Sequence, residues 1–174
     1  MRIAPFGAAL VTLAFALVVG AGCVPPPEPM TLEEQRLQTR LVQLLPDDWK
    51  YMVPRVEIIQ GDISYAHPTH IEIGEWVLRG DSRVLDSTLA HEWGHYEALQ
   101  RNRLLYNANP PAGFPFTPKP PTFPQFYPNW NFESWAVCVA AILTGEEIAF
   151  RWGEHPYPLC TDRQQQFTSQ YLLG

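Results

Sequence analysis

The chain has 174 residues, 46% of them apolar and 17% charged, so it carries enough apolar side chain to bury a core. A wholly disordered chain, a collagen-like repeat and a long coiled coil are thereby excluded. Net charge is -6 with no cluster of Lys and Arg; the counterion release that drives nucleic-acid binding has nothing to act through, and DNA and RNA are excluded as partners.

At the N-terminus, Met1 and Arg2 give a short positive region, and Ala8 to Gly22 is an uncharged apolar stretch too short to span a bilayer comfortably. Residues 1–22 therefore read as a signal peptide. Gly20-Ala21-Gly22 precedes Cys23, and Val24-Pro25-Pro26-Pro27-Glu28-Pro29 follows as an extended tether that cannot continue a helix. Small residues before a Cys and a stiff segment after it resemble a bacterial lipoprotein signal, with Gly20 where Leu or Val is usual. That resemblance implies a lipidated Cys23, a tether over 23–30, export, and attachment to the outer side of the cell membrane through lipid, since the chain has no polybasic patch to bind it otherwise. With Cys23 so used, Cys138 and Cys160 remain as an even pair in an oxidising setting. A disulfide between them would close a loop of about 20 residues and contribute roughly 3 kcal/mol; the alternative is two buried thiols.

Residues 31–174 read as a single domain, expected to be monomeric. Thr31 to Glu34 forms a capping box, and Leu37, Leu41, Leu44 and Leu45 repeat at helical spacing until Pro46. Val56 to Gln60, Ile71 to Ile73 and Trp76 to Leu78 are short β-branched or aromatic runs bounded by Gly and Pro, which predicts a small sheet. His67 and His70 flank Pro68 in a turn and read as solvated loop residues. Asp81 or Ser82 caps a helix that runs to about Asn102. Asn107 to Trp130 holds eight prolines and a run of aromatics with no periodicity, a long loop expected to cover the body or a cleft. A helix is predicted from near Asn131 to Gly145, and a possible Thr144 to Glu147 capping box suggests a short one after it.

The helix that follows Asp81 carries His91-Glu92-Trp93-Gly94-His95. Two histidines four residues apart on a helix share a face one turn apart and can reach one tetrahedral ion, with the intervening Glu beside them to act on a metal-bound water. With five His and twelve Glu in the chain, chance gives roughly a one per cent expectation of this pattern. A catalytic zinc takes a third protein ligand and leaves one position open. Glu133 is the best candidate, in the next helix, with Ala136 one turn later as a small residue that lets two helices approach.

HExxH followed by a Glu-bearing helix reading Glu133-Ser134-Trp135-Ala136 resembles the gluzincin branch of the zincin metallopeptidases; the residues after His95 do not fit the metzincin extension. The resemblance implies an α+β domain, a short mixed sheet packed on the HExxH helix and the Glu helix, binding Zn²⁺ through His91, His95 and Glu133. It also implies peptide-bond hydrolysis of a peptide or protein substrate, with Glu92 as general base. Substrate in this family lies along a sheet edge ahead of the metal helix, here Ile71 to Leu78 with Ile71, Ile73 and Trp76. Tyr157 or His155 is a candidate donor to the developing oxyanion. Where the family often has an Asp four residues after the third ligand, this chain has Val137, so Asp86 or Glu146 is the candidate to orient a ligand His. The competing reading is a non-catalytic surface lipoprotein with a metal-stapled core and a Pro/aromatic binding loop.

Overall fold

The computed structural model describes residues 28–101, Phe116, 130–148, 151–152, 155–157 and 159–174. Residues 1–22, expected to be a signal peptide, Cys23 and nearly all of the segment Asn107 to Trp130 lie outside these. Helix α1 (Leu32–Leu44) begins at the expected capping box, with Thr31 Oγ1 accepting from the Glu34 backbone N–H and Glu34 reaching back to the Thr31 N–H. Its apolar stripe buries Leu37 and Leu41. After Pro46 a 3-10 turn, Asp47–Met52, buries Trp49.

Three strands follow: β1 (Arg55–Ile59), β2 (Tyr65–Ala66) and β3 (His70–Gly74), in the order β1-β3-β2, parallel between β1 and β3 and antiparallel between β2 and β3. The predicted third strand is instead one helical turn, α2 (Glu75–Leu78), with the Arg79 backbone N–H donating to Trp76 O. Four residues are too few for period 2 to be told from period 3.6; here the chain leaves β3 and must turn into the next helix. That helix, α3 (Ser82–Arg101), is capped by Asp81, whose Oδ1 accepts from the Arg83 N–H at 2.9 Å.

α4 (Trp130–Thr144) lies against α3 and ends at Gly145, whose φ of +70° is the left-handed helix stop. No helix forms over 145–148, so the expected capping box at Thr144 is absent: Thr144 Oγ1 instead bonds back to Ala140 O and contacts the Glu146 backbone. Strands β4 (Arg151–Trp152) and β5 (His155–Pro156) pair as a small antiparallel ribbon. The chain closes with α5 (Asp162–Leu173), a helix not anticipated, started by a Thr161–Gln164 capping box. The signal for it was present as Thr-x-x-Gln ahead of Phe167, Tyr171 and Leu172.

The architecture is α+β, with a small mixed sheet on one side of a helical layer. One apolar core joins the inner residues of α1, Val56, Ile71 and Ile73 of the sheet, Leu89 and Trp93 of α3, and Trp135 and Val139 of α4. The Cys138–Cys160 disulfide ties α4 to the segment leading into α5, with Cα atoms 5.2 Å apart. No described helix is long and apolar enough to cross a membrane.

Candidate metal centre

Helix periodicity puts His91 and His95 on one face of α3, and α4 packs across that face closely enough for Glu133, in its first turn, to meet them. The close approach depends on Gly94. A Cβ at that position would lie 3.0 Å from Ala136 Cα and 3.1 Å from Val139 Cβ, tighter than ordinary contact, so a side chain there would require its neighbours on α4 to give by a few tenths of an ångström. Ala136, expected as the small residue of the second helix, is therefore matched by a still smaller one inside the HExxH motif. Trp135, buried beside them, donates its indole N–H to Gly94 O at 3.1 Å and locks the two helices in register.

The three potential ligand atoms form a nearly equilateral triangle. His91 Nε2 and His95 Nε2 are 3.2 Å apart, and each is 3.3 Å from the same oxygen, Glu133 Oε2. A tetrahedral ion bound at about 2.0–2.1 Å spaces its ligands roughly 3.3 Å from one another, so the triangle has the edge such an ion needs and leaves the fourth corner for another group. The three residues can hold a metal ion.

Charge in this pocket is set by burial against close opposite charge. Burial pushes His91 down, with Glu133 opposing and His95 adding to the fall. For His95 the charge and hydrogen bond of Glu133, with the charge of Glu92, outweigh burial and raise it. Burial alone would raise Glu133, but the two imidazoles hold it far below the usual carboxylate range. Glu92, 6% exposed, has no such rescue: burial, reinforced by the charge of Glu133 and opposed by that of His95, pushes its carboxyl up to about 7. The site thus pairs an ionised ligand with a second carboxyl able to take or give a proton near neutrality.

The remaining expected residues fall as follows. Ile71 and Ile73 are fully buried, and β3 is the central strand, covered on one side by β1 and on the other by the Ser64 to His67 segment. They are core residues and do not line an open edge for substrate. Trp76 is on α2, 43% exposed. Tyr157 is buried just after β5, and His155 is in β5. Asp86 does not orient a ligand: both its oxygens are engaged by the Arg40 guanidinium, one at 2.8 Å. Glu146 lies past the end of α4, about 16 Å of helix beyond Glu133, where its charge acts on Arg83. Comparison with protein-family models, with curated proteins and with solved structures finds no match.

Proposed function

We propose that this chain is an exported zinc-dependent metallopeptidase, held at the outer side of the cell membrane by lipid on Cys23. The observation that carries the reading is the 3.2–3.3 Å triangle of His91, His95 and Glu133 with the buried carboxyl of Glu92 beside it. A bound zinc would supply a Lewis acid to a scissile carbonyl and lower the pKa of a bound water.

The chain's own residues supply the rest. His91 and His95 offer neutral nitrogens, and Glu133 stays ionised and fixes the third ligand direction. Glu92 accepts the proton of the attacking water and returns it to the leaving amine, a task matched by a carboxyl poised near neutrality. A purely structural staple needs no such base and is ordinarily closed by four protein ligands; among the described residues three converge here.

The test uses the purified mature chain after dialysis. We expect about one tightly held zinc per molecule, lost in His91→Ala or His95→Ala, and hydrolysis of an unstructured protein such as casein. Glu92→Gln keeps the zinc while hydrolysis falls at least about 100-fold. Hydrolysis that survives Glu92→Gln would sink the catalytic assignment, and a zinc-free protein would sink the metal one.

A further inference from the structure

The sheet has a second face, and it is not apolar. Strand side chains alternate, so with Ile71 and Ile73 turned into the core, His70 and Glu72 of β3 point the other way. Register carries the pattern across both neighbours: Arg55 is paired with His70, Glu57 with Glu72, and Glu72 with Tyr65. Continued by one more pair, the β2–β3 register sets His67 opposite His70, with the His67 backbone N–H donating to His70 O at 2.8 Å. The two-residue connection Pro68-Thr69 thus makes His67 and His70 direct cross-strand neighbours on the outer face.

Four potential ligands meet there. His67 Nε2 is 3.2 Å from Glu72 Oε2, His70 Nε2 is 3.3 Å from Glu72 Oε1, and Glu57 Oε2 is 3.8 Å from His70 Nε2. One ligating atom from each of His67, His70 and Glu72 lies within 4.8 Å of the others. The second nitrogen of His70 is taken, its Nδ1 lying 3.0 Å from Thr69 Oγ1. This is the outer hydrogen bond that fixes a ligating imidazole and leaves Nε2 for a metal. Gln100 of α3 donates to Pro68 O and anchors the turn to the body. Glu57 Oε1 is held by Arg55 at 2.9 Å, which keeps that carboxylate in place with its other oxygen towards His70.

We propose that His67, His70 and Glu72, backed by Glu57, form a second metal site, for a divalent first-row ion of the zinc, nickel and copper class. Two imidazoles and a carboxylate suit those ions, whereas calcium and magnesium take oxygen ligands. The sheet separates this site from the His91 centre, so the two fill independently. The second is half-exposed, with the His67 side chain 42% accessible, and binds more weakly.

Binding changes the conformation of the rings. They are stacked, centroids 4.6 Å apart and planes within 10°. An imidazole holds an ion in its own plane, and two parallel planes share no such point, so one ring turns out of the stack about its broad χ2 torsion. Loss of the stack is a signature that a bulk ion atmosphere does not produce.

The test is a titration of the dialysed, full mature chain with zinc chloride and, separately, nickel chloride, read by calorimetry and by the histidine ring signals in NMR. A second equivalent is expected to bind, shifting the rings of His67 and His70. His70→Ala weakens it at least about tenfold, and His67→Ala/His70→Ala abolishes it, with the first equivalent and hydrolysis unchanged. His91→Ala/His95→Ala loses the first equivalent and keeps the second, so failure of the peptidase reading leaves this result readable. Should that variant not fold, Glu72→Gln in the otherwise intact chain gives the same answer by weakening only the second equivalent. A chain that holds one equivalent in total at saturation, or a second that persists unchanged in His67→Ala/His70→Ala, overturns the proposal.

Discussion

Gly94 stands between His91 and His95 at a point where a methyl group would meet Ala136 and Val139 at 3.0–3.1 Å. Relief requires a shift of a few tenths of an ångström between α3 and α4, and α4 carries Glu133. Gly94→Ala is therefore expected to cost about 1–3 kcal/mol of stability, as overpacking does, and also to weaken zinc well beyond what the stability change alone implies. Thermal melts with and without zinc separate the two effects; a variant with wild-type zinc affinity would show that the helix spacing does not set the site. Glu92 makes a different prediction, because its carboxyl is pushed from 4.5 to about 7 by burial. Between those values the folded chain holds a proton that the unfolded chain has lost. Its contribution to the stability of the metal-free protein is thus present below pH 4.5 and is lost as pH rises through 7. Denaturant titrations of metal-free wild type and Glu92→Gln across pH 4.5–7 should show wild type losing stability relative to the variant; parallel curves would mean that Glu92 is not held in its neutral form. His95, raised by Glu133 and Glu92, adds a further term: its proton must leave for a metal to bind, so zinc affinity falls as pH falls.

Among the elements, those announced by local chemistry were legible and those made by distant contacts were not. α1 and α3 are readable from a capping residue and an apolar stripe, and the meeting of His91, His95 and Glu133 from spacing plus one carboxylate in the next helix. What the sequence did not display is how the ligand helices are braced. Trp93, inside the HExxH motif, donates to Met52 O, and Trp49 donates to Leu172 O. Trp49 also meets Trp93 edge-on at 5.7 Å, and Trp135 meets Tyr171 at 5.3 Å and Phe116 at 5.6 Å. These partners are 40 residues or more apart in several cases, and no periodicity encodes such a pairing. Phe116 shows the same for the Pro/aromatic segment: it is buried between Trp135 and Phe167, so this member of the run packs on the body. The outer face of the sheet is hard to see in the sequence, where His67 and His70 beside Pro68 read as solvated loop residues; in the fold a two-residue connection between strands sets them face to face. The disulfide between Cys138 and Cys160, 22 residues apart in sequence, acts at this scale by tying α5, with its Tyr171 and Leu172, to α4. Reduction should lower stability by about 3 kcal/mol while leaving the Glu133 end of α4 in place, so the reduced protein is expected to keep its zinc at low temperature. Melts with and without reductant, combined with metal analysis, check this; zinc released on reduction alone would place the disulfide in the support of the site.

For the molecule as a whole, the proposed ion would join α3 to α4 and the disulfide joins α4 to the segment leading into α5, so both would act on one helical layer, and the sheet depends on that layer for its covered face. A ligand that binds only the folded chain stabilises it by an amount set by its concentration over Kd, about 2.7 kcal/mol at a hundredfold excess. For a chain of this size each kcal/mol moves the midpoint by roughly 2–4 °C. Removing zinc with a chelator is thus expected to lower the melting temperature by roughly 5–10 °C relative to that condition, reversibly. Glu92→Gln should show the same drop as wild type, because Glu92 is not a ligand, whereas Glu133→Ala should show little, having lost the arm that reaches from the second helix. If zinc stabilises Glu133→Ala as strongly as wild type, the ion is held by the α3 histidines without α4, and Glu133 is not its third ligand.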